Sequence, residues 1–277
     1  MRDKVYIATK TAATTPEDFW KDLETSLEKL QTDYIDVYQF HCVGQCYKPG
    51  DGTGMYECML EAKKQGKIRH IGVTAHKIGI AYECVESGLY ETMQFPFSYL
   101  SGPQEIKLVQ MCQEANMGFV CMKGLAGGLI SNSRAAMAYM CQYPDILPIW
   151  GIQKEKELEE WLSYMSDTPC MDEETVALQP QEQEELSGDF CRGCGYCMPC
   201  PQGITINQCA RMSLMLRRAP SEAWLNAYWQ KEMAKIETCL HCNACKAKCP
   251  YELDTPALLQ KNLEDYKNVL AGKTKVQ

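Results

Sequence analysis

The sequence predicts an α/β fold, a parallel sheet built from six β/α units, followed by a small all-helical region rich in cysteine. Two observations support this prediction. From Lys4 to about Met165, short β-rich apolar runs alternate with longer amphipathic stretches, which is the pattern of β/α units. Beyond residue 188 the pattern changes to cysteine-dense loops, and helices are predicted at residues 206–218 and 221–236.

Six apolar runs are the strand candidates, and a helical pattern follows each of them. They lie at residues 5–9, 34–40, 68–73, 92–97, 118–122 and 146–150. The clearest helix signal is at Thr15, where a capping hydroxyl precedes Pro16 and two acidic residues, so a helix is expected up to Leu30. Because both faces of a parallel sheet are buried, helices should cover it.

The sequence predicts three segments: the β/α region at residues 1–165, an acidic and Gln-rich linker at 166–187, and the cysteine-rich domain at 188–277. Charge differs between them. The last segment has 12 Lys and Arg against 8 Asp and Glu, whereas the rest of the chain has 16 against 28.

Composition excludes several classes of protein. The 277 residues are 45% apolar and 23% charged, unlike disordered or collagen-like chains. No run is long and apolar enough to span a bilayer, and the N-terminus lacks a secretory signal, so a cytoplasmic location is expected. A net charge of −8 disfavours binding to nucleic acid or to an anionic membrane.

Eight of the 17 cysteines form two similar runs, each followed by a proline. The first run is Cys191, Cys194, Cys197 and Cys200, and the second is Cys239, Cys242, Cys245 and Cys249. Two-residue spacing curls a loop so that three thiolates face one 4Fe–4S cluster, and in two-cluster ferredoxins the fourth cysteine binds the other cluster. We therefore expect Cys249 to complete the first set of ligands and Cys200 the second.

Structural zinc is the alternative for these cysteines. Zinc usually takes two separated C-x2-C pairs, which fits three close cysteines and a Cys-Pro poorly. The other nine cysteines lack ligand spacing and are predicted to be packing residues: Cys42, Cys46, Cys58, Cys84, Cys112, Cys121, Cys141, Cys170 and Cys209.

Two ionisable residues follow consecutive predicted strands. Lys10 ends the first run and His41 ends the second. Chemistry in parallel β/α folds sits at the carboxyl ends of strands, where a Lys beside a His can bias a proton-transfer group. Each residue on its own is also compatible with a structural or solvent-facing role.

Around these residues the segment resembles the aldo/keto reductases, (β/α)8 barrels that reduce carbonyls with NADPH. The resemblance covers residues 1–161 and continues through four later motifs: Ile71-Gly-Val-Thr-Ala-His, Gln94-Phe-Pro-Phe-Ser, Met122-Lys-Gly-Leu-Ala-Gly-Gly, and Trp150-Gly-Ile-Gln-Lys with Glu159-Glu160. The sequence CRGCGYCMPCP resembles the ferredoxin domain fused to one subgroup of these reductases. The implied architecture is a partial TIM barrel followed by a ferredoxin-type domain with two 4Fe–4S clusters.

The resemblance implies a role for each matching position. Lys10 would lower the pKa of a catalytic tyrosine, and His41 would orient the substrate carbonyl. The remaining positions would bind NADP(H): Thr74 and Gln94 at the carboxamide, Gly127 and Gly128 at the pyrophosphate, and Lys154 and Glu160 at the adenosine end. Departures at Ala75, Gly124, Trp150 and Trp161 weaken the expected specificity for the nicotinamide.

The sequence begins at what resembles the third strand of the family. The resemblance therefore leaves out two β/α units, with the aspartate that pairs with Lys10 and the tyrosine that donates the proton. Six strands cannot close an eight-stranded barrel by the same tilt and stagger, so both outer strands should be open edges. We favour a longer polypeptide; a second chain, loss of hydride chemistry, or substitution by a tyrosine such as Tyr38 are the alternatives.

Two functions are consistent with these patterns. One is an oxidoreductase that links NADPH and a small carbonyl substrate with one-electron transfer through the clusters and a redox partner protein. The other is an electron-transfer or interaction protein with a barrel remnant as a scaffold.

Overall fold

A single parallel sheet dominates the first half of the computed structural model, which describes residues 2–152, 154–177, 180, 186, 190–218 and 221–276. Its strands follow chain order, each parallel to the next, as predicted. They are β1 (Ala8–Thr11), β2 (Ile35–Phe40), β3 (Ile68–Thr74), β4 (Thr92–Pro96), β5 (Gly118–Met122) and β6 (Ile146–Pro148).

Helices follow the strands, so the predicted β/α alternation is confirmed. They are α1 (Pro16–Leu30), α2 (Met55–Lys64), α3 (Ile78–Glu86), α4 (Pro103–Glu114), α5 (Ser133–Met140) and α6 (Glu155–Ser163). Helix α1 begins where the sequence predicts, because the Thr15 hydroxyl accepts a hydrogen bond from the Asp18 amide at 3.3 Å. Its buried Phe19 packs edge-on against Tyr38 of β2, with 5.7 Å between ring centroids.

Strand β1 starts three residues later than predicted. The Ile7 amide donates to the carboxylate of Asp36 at 2.9 Å, so the backbone ladder with β2 begins at Ala8. Asp36 also accepts from Arg2 at 2.7 Å and from Arg69 at 3.2 Å. This buried carboxylate therefore anchors the amino-terminal ends of the first strands.

Strands β1 and β6 are the outer strands of the sheet. Within the described residues no further strand pairs with either of them, as the resemblance led us to expect. Apolar side chains near both are exposed, including Tyr6 and Leu147.

The cysteine-rich part of the chain is helical, as predicted. It contains α7 (Ile206–Cys209), α8 (Met212–Arg218), α9 (Ala227–Ala234), α10 (Ala244–Ala247) and α11 (Thr255–Leu270), with 3-10 turns at Ser221–Ala223 and Lys235–Thr238. Its core includes Ile206, Met212, Met233, Leu259 and Tyr266. Among the described residues, none of the helices has the length and apolarity that a bilayer crossing requires.

By packing, the chain divides into two compact units. The first comprises residues 1–124 and 140–155, and the second residues 125–139 and 156–277. The loop after β5 and most of α5 thus pack with the cysteine-rich part. Residues 178–179, 181–185 and 187 of the predicted linker lie outside the described residues.

Candidate metal centres and active-site residues

Four cysteines from both runs surround one cavity in the second unit. Cys191, Cys194, Cys197 and Cys249 line an open space of about 330 Å³. The first three come from one loop and the fourth arrives from the end of the other run. This is the grouping expected if the fourth cysteine of the second run completes the ligands of the first cluster.

A second cavity, of about 420 Å³, is lined by Cys200 together with Cys239, Cys242 and Cys245. Cys197 also borders it, so the two cavities share a wall. This cavity opens on the surface: Cys242 is exposed, and the neighbouring Leu240 is 62% exposed.

Left-handed backbone turns give both loops their curl. In the first run Gly193 has φ +66° and Gly195 has φ +83°, values that glycine adopts without strain. The Gly193 amide donates to the Cys191 sulfur at 3.4 Å. In the second run His241 and Asn243 adopt the same region, with φ 49° and 58°.

Burial keeps several of these thiols neutral in the folded protein without iron. It raises the pKa of Cys191 and Cys245, and it raises the pKa of Cys197 to about 12, with a further contribution from the neighbouring Cys191. Cluster binding requires thiolates, so it would release protons here.

The donor set fits iron–sulfur clusters. Thiolates are the soft ligands that such clusters take, and the four expected for each cluster line its cavity, with Cys197 bordering both cavities. Within the described ranges no three Cys, His, Asp or Glu side chains converge as the ligands of a single ion do. The eight thiols lie instead around the walls of two cavities.

Two arginines lie beside the first cavity. The Arg192 guanidinium stacks on the rings of Phe190 and Tyr251, 4.6 Å from each centroid, and so connects the first loop to the chain after Cys249. Arg211 is buried and donates to the Gly127 carbonyl at 2.8 Å. Spacing analysis missed Arg211, because no local pattern distinguishes it from a surface arginine.

In the first unit, Lys10 and His41 lie at the carboxyl ends of adjacent strands. The His41 amide donates to the Thr11 carbonyl at 2.8 Å, directly after Lys10. Burial lowers the pKa of both side chains, and the Lys10 charge lowers that of His41 further. His41 is therefore kept neutral, in the form that can accept a proton.

Tyr38 is badly placed to replace a catalytic tyrosine. It lies in register with Thr9, whereas Lys10 lies in register with Gln39. Because side chains alternate along a strand, Tyr38 and Lys10 point to opposite faces. The Tyr38 ring is fully buried, and burial raises the pKa of its hydroxyl.

Thr74 and Gln94 are brought together by the register between β3 and β4. Both are buried. The Thr74 hydroxyl accepts from the Cys42 amide at 2.6 Å, and the Gln94 side-chain amide lies 3.5 Å from the Met122 sulfur. Their expected contact with a nicotinamide remains a prediction.

Two departures from the family pattern, Gly124 and Trp150, lie in contact with each other. A Cβ at Gly124 would lie 2.6 Å from the Trp150 ring, so the glycine makes room for the indole.

Further along, Gly127 and Gly128 have φ +72° and +91°. A Cβ at Gly127 would lie 2.8 Å from the Arg192 carbonyl, so the predicted pyrophosphate turn packs against the first cysteine loop.

The two residues predicted for the adenosine end are both exposed. Lys154 lies in the first unit, just before α6. Glu160 lies in the second unit, where it accepts hydrogen bonds from the hydroxyls of Ser133 and Tyr164.

The nine cysteines outside the runs differ in burial and fall into three groups. Cys46, Cys58, Cys84, Cys112, Cys121 and Cys209 are buried, as predicted for packing residues. Cys42 is half-buried. Cys141 and Cys170 are exposed, so the packing interpretation is wrong for these two.

Comparison with known proteins gives two family matches. Residues 1–142 match the aldo/keto reductase family, and residues 190–254 match a 4Fe-4S dicluster domain. The second match includes all eight cysteines of the two runs.

Among curated proteins, the chain is 30% identical over 146 residues to Aldo-keto reductase YhdN of Bacillus subtilis, covering 47% of this chain and 42% of that protein. It is 37% identical over 92 residues to Methylglyoxal reductase DkgB of Salmonella typhi, covering 30% and 32%. The chain thus spans less than half the length of these relatives.

Among solved structures, the chain resembles the holo form of aldo-keto reductase AKR11C1 from Bacillus halodurans, with a TM-score of 0.55 and 21% identity. The match covers 68% of this chain and 73% of that one. At this identity the likeness supports the fold.

Proposed function

The chain belongs to the aldo/keto reductase family and carries a 4Fe-4S dicluster domain, and from this premise we propose that it is an iron–sulfur oxidoreductase linking NADP(H) and a carbonyl or alcohol substrate to one-electron transfer. The observation that supports it best is the pair of cavities, whose linings include the four thiols that the crossed grouping assigns to each cluster.

The cysteines would hold the clusters as follows. Cys191, Cys194, Cys197 and Cys249 would bind the first, and Cys200, Cys239, Cys242 and Cys245 the second. When bound, such clusters accept and give single electrons, and NADPH supplies a hydride. Because the second cavity opens on the surface, the second cluster is the one that a redox partner protein would reach.

The residues at the sheet edge would handle the substrate. Neutral His41 can hold a hydrogen bond to the carbonyl oxygen, and the Lys10 charge beside it favours negative charge on a neighbouring acid. Thr74, Gln94, Gly127, Gly128, Lys154 and Glu160 are the proposed NADP(H) contacts.

We further propose that residues 1–277 alone reduce carbonyls poorly. The resemblance places the family's proton-donating tyrosine and its aspartate outside the matched motifs, and a general acid contributes ~10²- to 10⁴-fold to rate. A polypeptide that supplies both residues would restore this factor.

An electron-transfer protein without reductase activity is the second candidate. One observation favours it: the Gly127 turn packs against the Arg192 carbonyl and binds Arg211 through its own carbonyl, so its surroundings are already filled by protein.

Anaerobic purification and NADPH titration together separate these functions. We expect brown protein with two 4Fe–4S clusters, and an increase in nucleotide fluorescence that Lys154→Met weakens for NADPH more than for NADH. Clusters without nucleotide binding would support the electron-transfer candidate. Colourless protein after reconstitution with iron and sulfide would overturn both.

A further inference from the structure

Arg211 is a buried cation whose hydrogen-bond partners are all neutral. It lies between α7 and α8 and is 8% exposed. Its Nη1 donates to the Gly127 carbonyl at 2.8 Å, and its Nε and Nη2 donate to Gln208 Oε1 at 3.1 and 2.9 Å. Among the residues that the structure describes, no carboxylate forms an ion pair with it.

The guanidinium packs directly on the first cysteine loop. A Cβ at Gly193 would lie 2.8 Å from Arg211 Cζ, so a side chain at this position would displace the guanidinium. Gly193 lies between Cys191 and Cys194, and both of these cysteines line the first cavity. Burying a cation among neutral groups is costly, and negative charge in the first cavity offsets that cost.

Arg192 is among the residues that line the first cavity, and the second cavity differs in this respect. Among its described lining residues there is no lysine or arginine. Any effect of the Arg211 charge should therefore be concentrated on the first cavity.

We propose that Arg211 is the buried counter-charge of the first cluster, a positioning residue that holds its loop against the Gly127 turn and raises its reduction potential. This inference rests on the proposed function, since it requires clusters in the cavities. An added electron makes a cluster more negative, so a nearby cation stabilises the reduced form more than the oxidised form.

The test is a redox titration of the full chain with dithionite, followed by visible absorbance and by electron paramagnetic resonance. Arg211→Gln should lower the midpoint potential of one cluster and leave the other unchanged. Cys242→Ser, which should keep only the first cluster, assigns the shifted signal. Arg217→Gln is the matched control, because Arg217 is paired with Asp265 at 2.7 Å on the surface of the same region.

A second variant covers the case in which Arg211→Gln loses iron. Gln208→Glu keeps the arginine but places a carboxylate against it, which should lower the same midpoint potential. Unchanged potentials in Gln208→Glu, or in an Arg211→Gln protein that keeps both clusters, would overturn the inference while leaving the proposed function intact. Wild-type protein without clusters would instead contradict the proposed function.

Discussion

Replacing Cys249 with serine tests the crossed assignment of the two cysteine runs. Cys249 belongs to the second run by sequence but lines only the cavity of the first. A serine hydroxyl is a poor replacement for a soft thiolate, so Cys249→Ser should lose the first cluster. Each 4Fe–4S cluster contains four irons and each cavity would hold one cluster, so the loss should be four of eight iron atoms and about half of the visible absorbance.

The assay is iron and sulfide content with electron paramagnetic resonance spectra of the reduced protein. Cys249→Ser should lose the same signal as Cys194→Ser, and Cys200→Ser the same signal as Cys242→Ser. Cys209→Ser is the control, because this buried cysteine lines neither cavity and should keep all eight irons. If Cys249→Ser and Cys242→Ser lost the same signal, the crossing would be refuted.

Three further predictions concern the packing and electrostatics of the two units. Lys10→Met should raise the pKa of His41, because it removes the lysine charge that lowers it, and the imidazole signals in a nuclear magnetic resonance titration would show the change. Asn262→Ala should lower the unfolding free energy of the cysteine-rich part by about 2–4 kcal/mol in denaturant titrations, because it removes the three hydrogen bonds that this buried side chain makes. Burial would raise the pKa of Asp36, but the Ile7 amide and Arg2 outweigh it and hold the pKa below its ordinary value. The stability from this carboxylate should be present above about pH 4 and be lost as the pH falls through the folded-state pKa, and Asp36→Asn should abolish that part of the pH dependence of chemical denaturation.

Residues of the same type are the controls for these three predictions: Lys4 and Asp33 are exposed, and Asn268 is half-buried. Lys4→Met should leave the His41 titration unchanged, Asn268→Ala should cost under about 1 kcal/mol, and Asp33→Asn should preserve the pH dependence. An unaltered His41 pKa in Lys10→Met would contradict the assigned electrostatics. Equal costs for the two asparagine variants would remove the argument from buried hydrogen bonds.

Most of the sheet was predictable because its signals are local. Strand β5 has the predicted limits, since a continuous apolar run between Met117 and Lys123 fixes both ends. The end of β6 was not found: the strand stops at Pro148, which has no amide hydrogen for the ladder. The start of β1 was also missed, because the Asp36 side chain takes the amide of Ile7.

The helices of the cysteine-rich part were predicted less well, because a tertiary contact determines where one of them is interrupted. A single helix was expected at residues 206–218, but α7 and α8 are separate. The side chain of Asn262 donates to the Ala210 carbonyl and accepts from the Ser213 amide at the break. Helix α11 was missed entirely, although the Asp254 cap and Pro256 were a usable signal.

In the candidate site, too, local features were predictable from the sequence and long-range contacts were not. Two-residue spacing predicted that the first three thiols of each run lie around one cavity, because curling of a short loop is a local property. The fourth cysteine of each set was assigned from the pattern of two-cluster ferredoxins. The contact between Gly127 and Arg211 joins residues 84 positions apart and left no pattern in the sequence. The expected role of Gly127 and Gly128 at a pyrophosphate remains a prediction.

The unequal exposure of the two cavities has a consequence for handling the protein in air. Dioxygen and chelators approach through solvent, and only the second cavity presents an exposed cysteine, Cys242, beside the exposed Leu240. We expect oxidative damage to begin there. Partly degraded preparations should therefore retain mainly the shielded cluster, the one beneath Arg192 and Arg211.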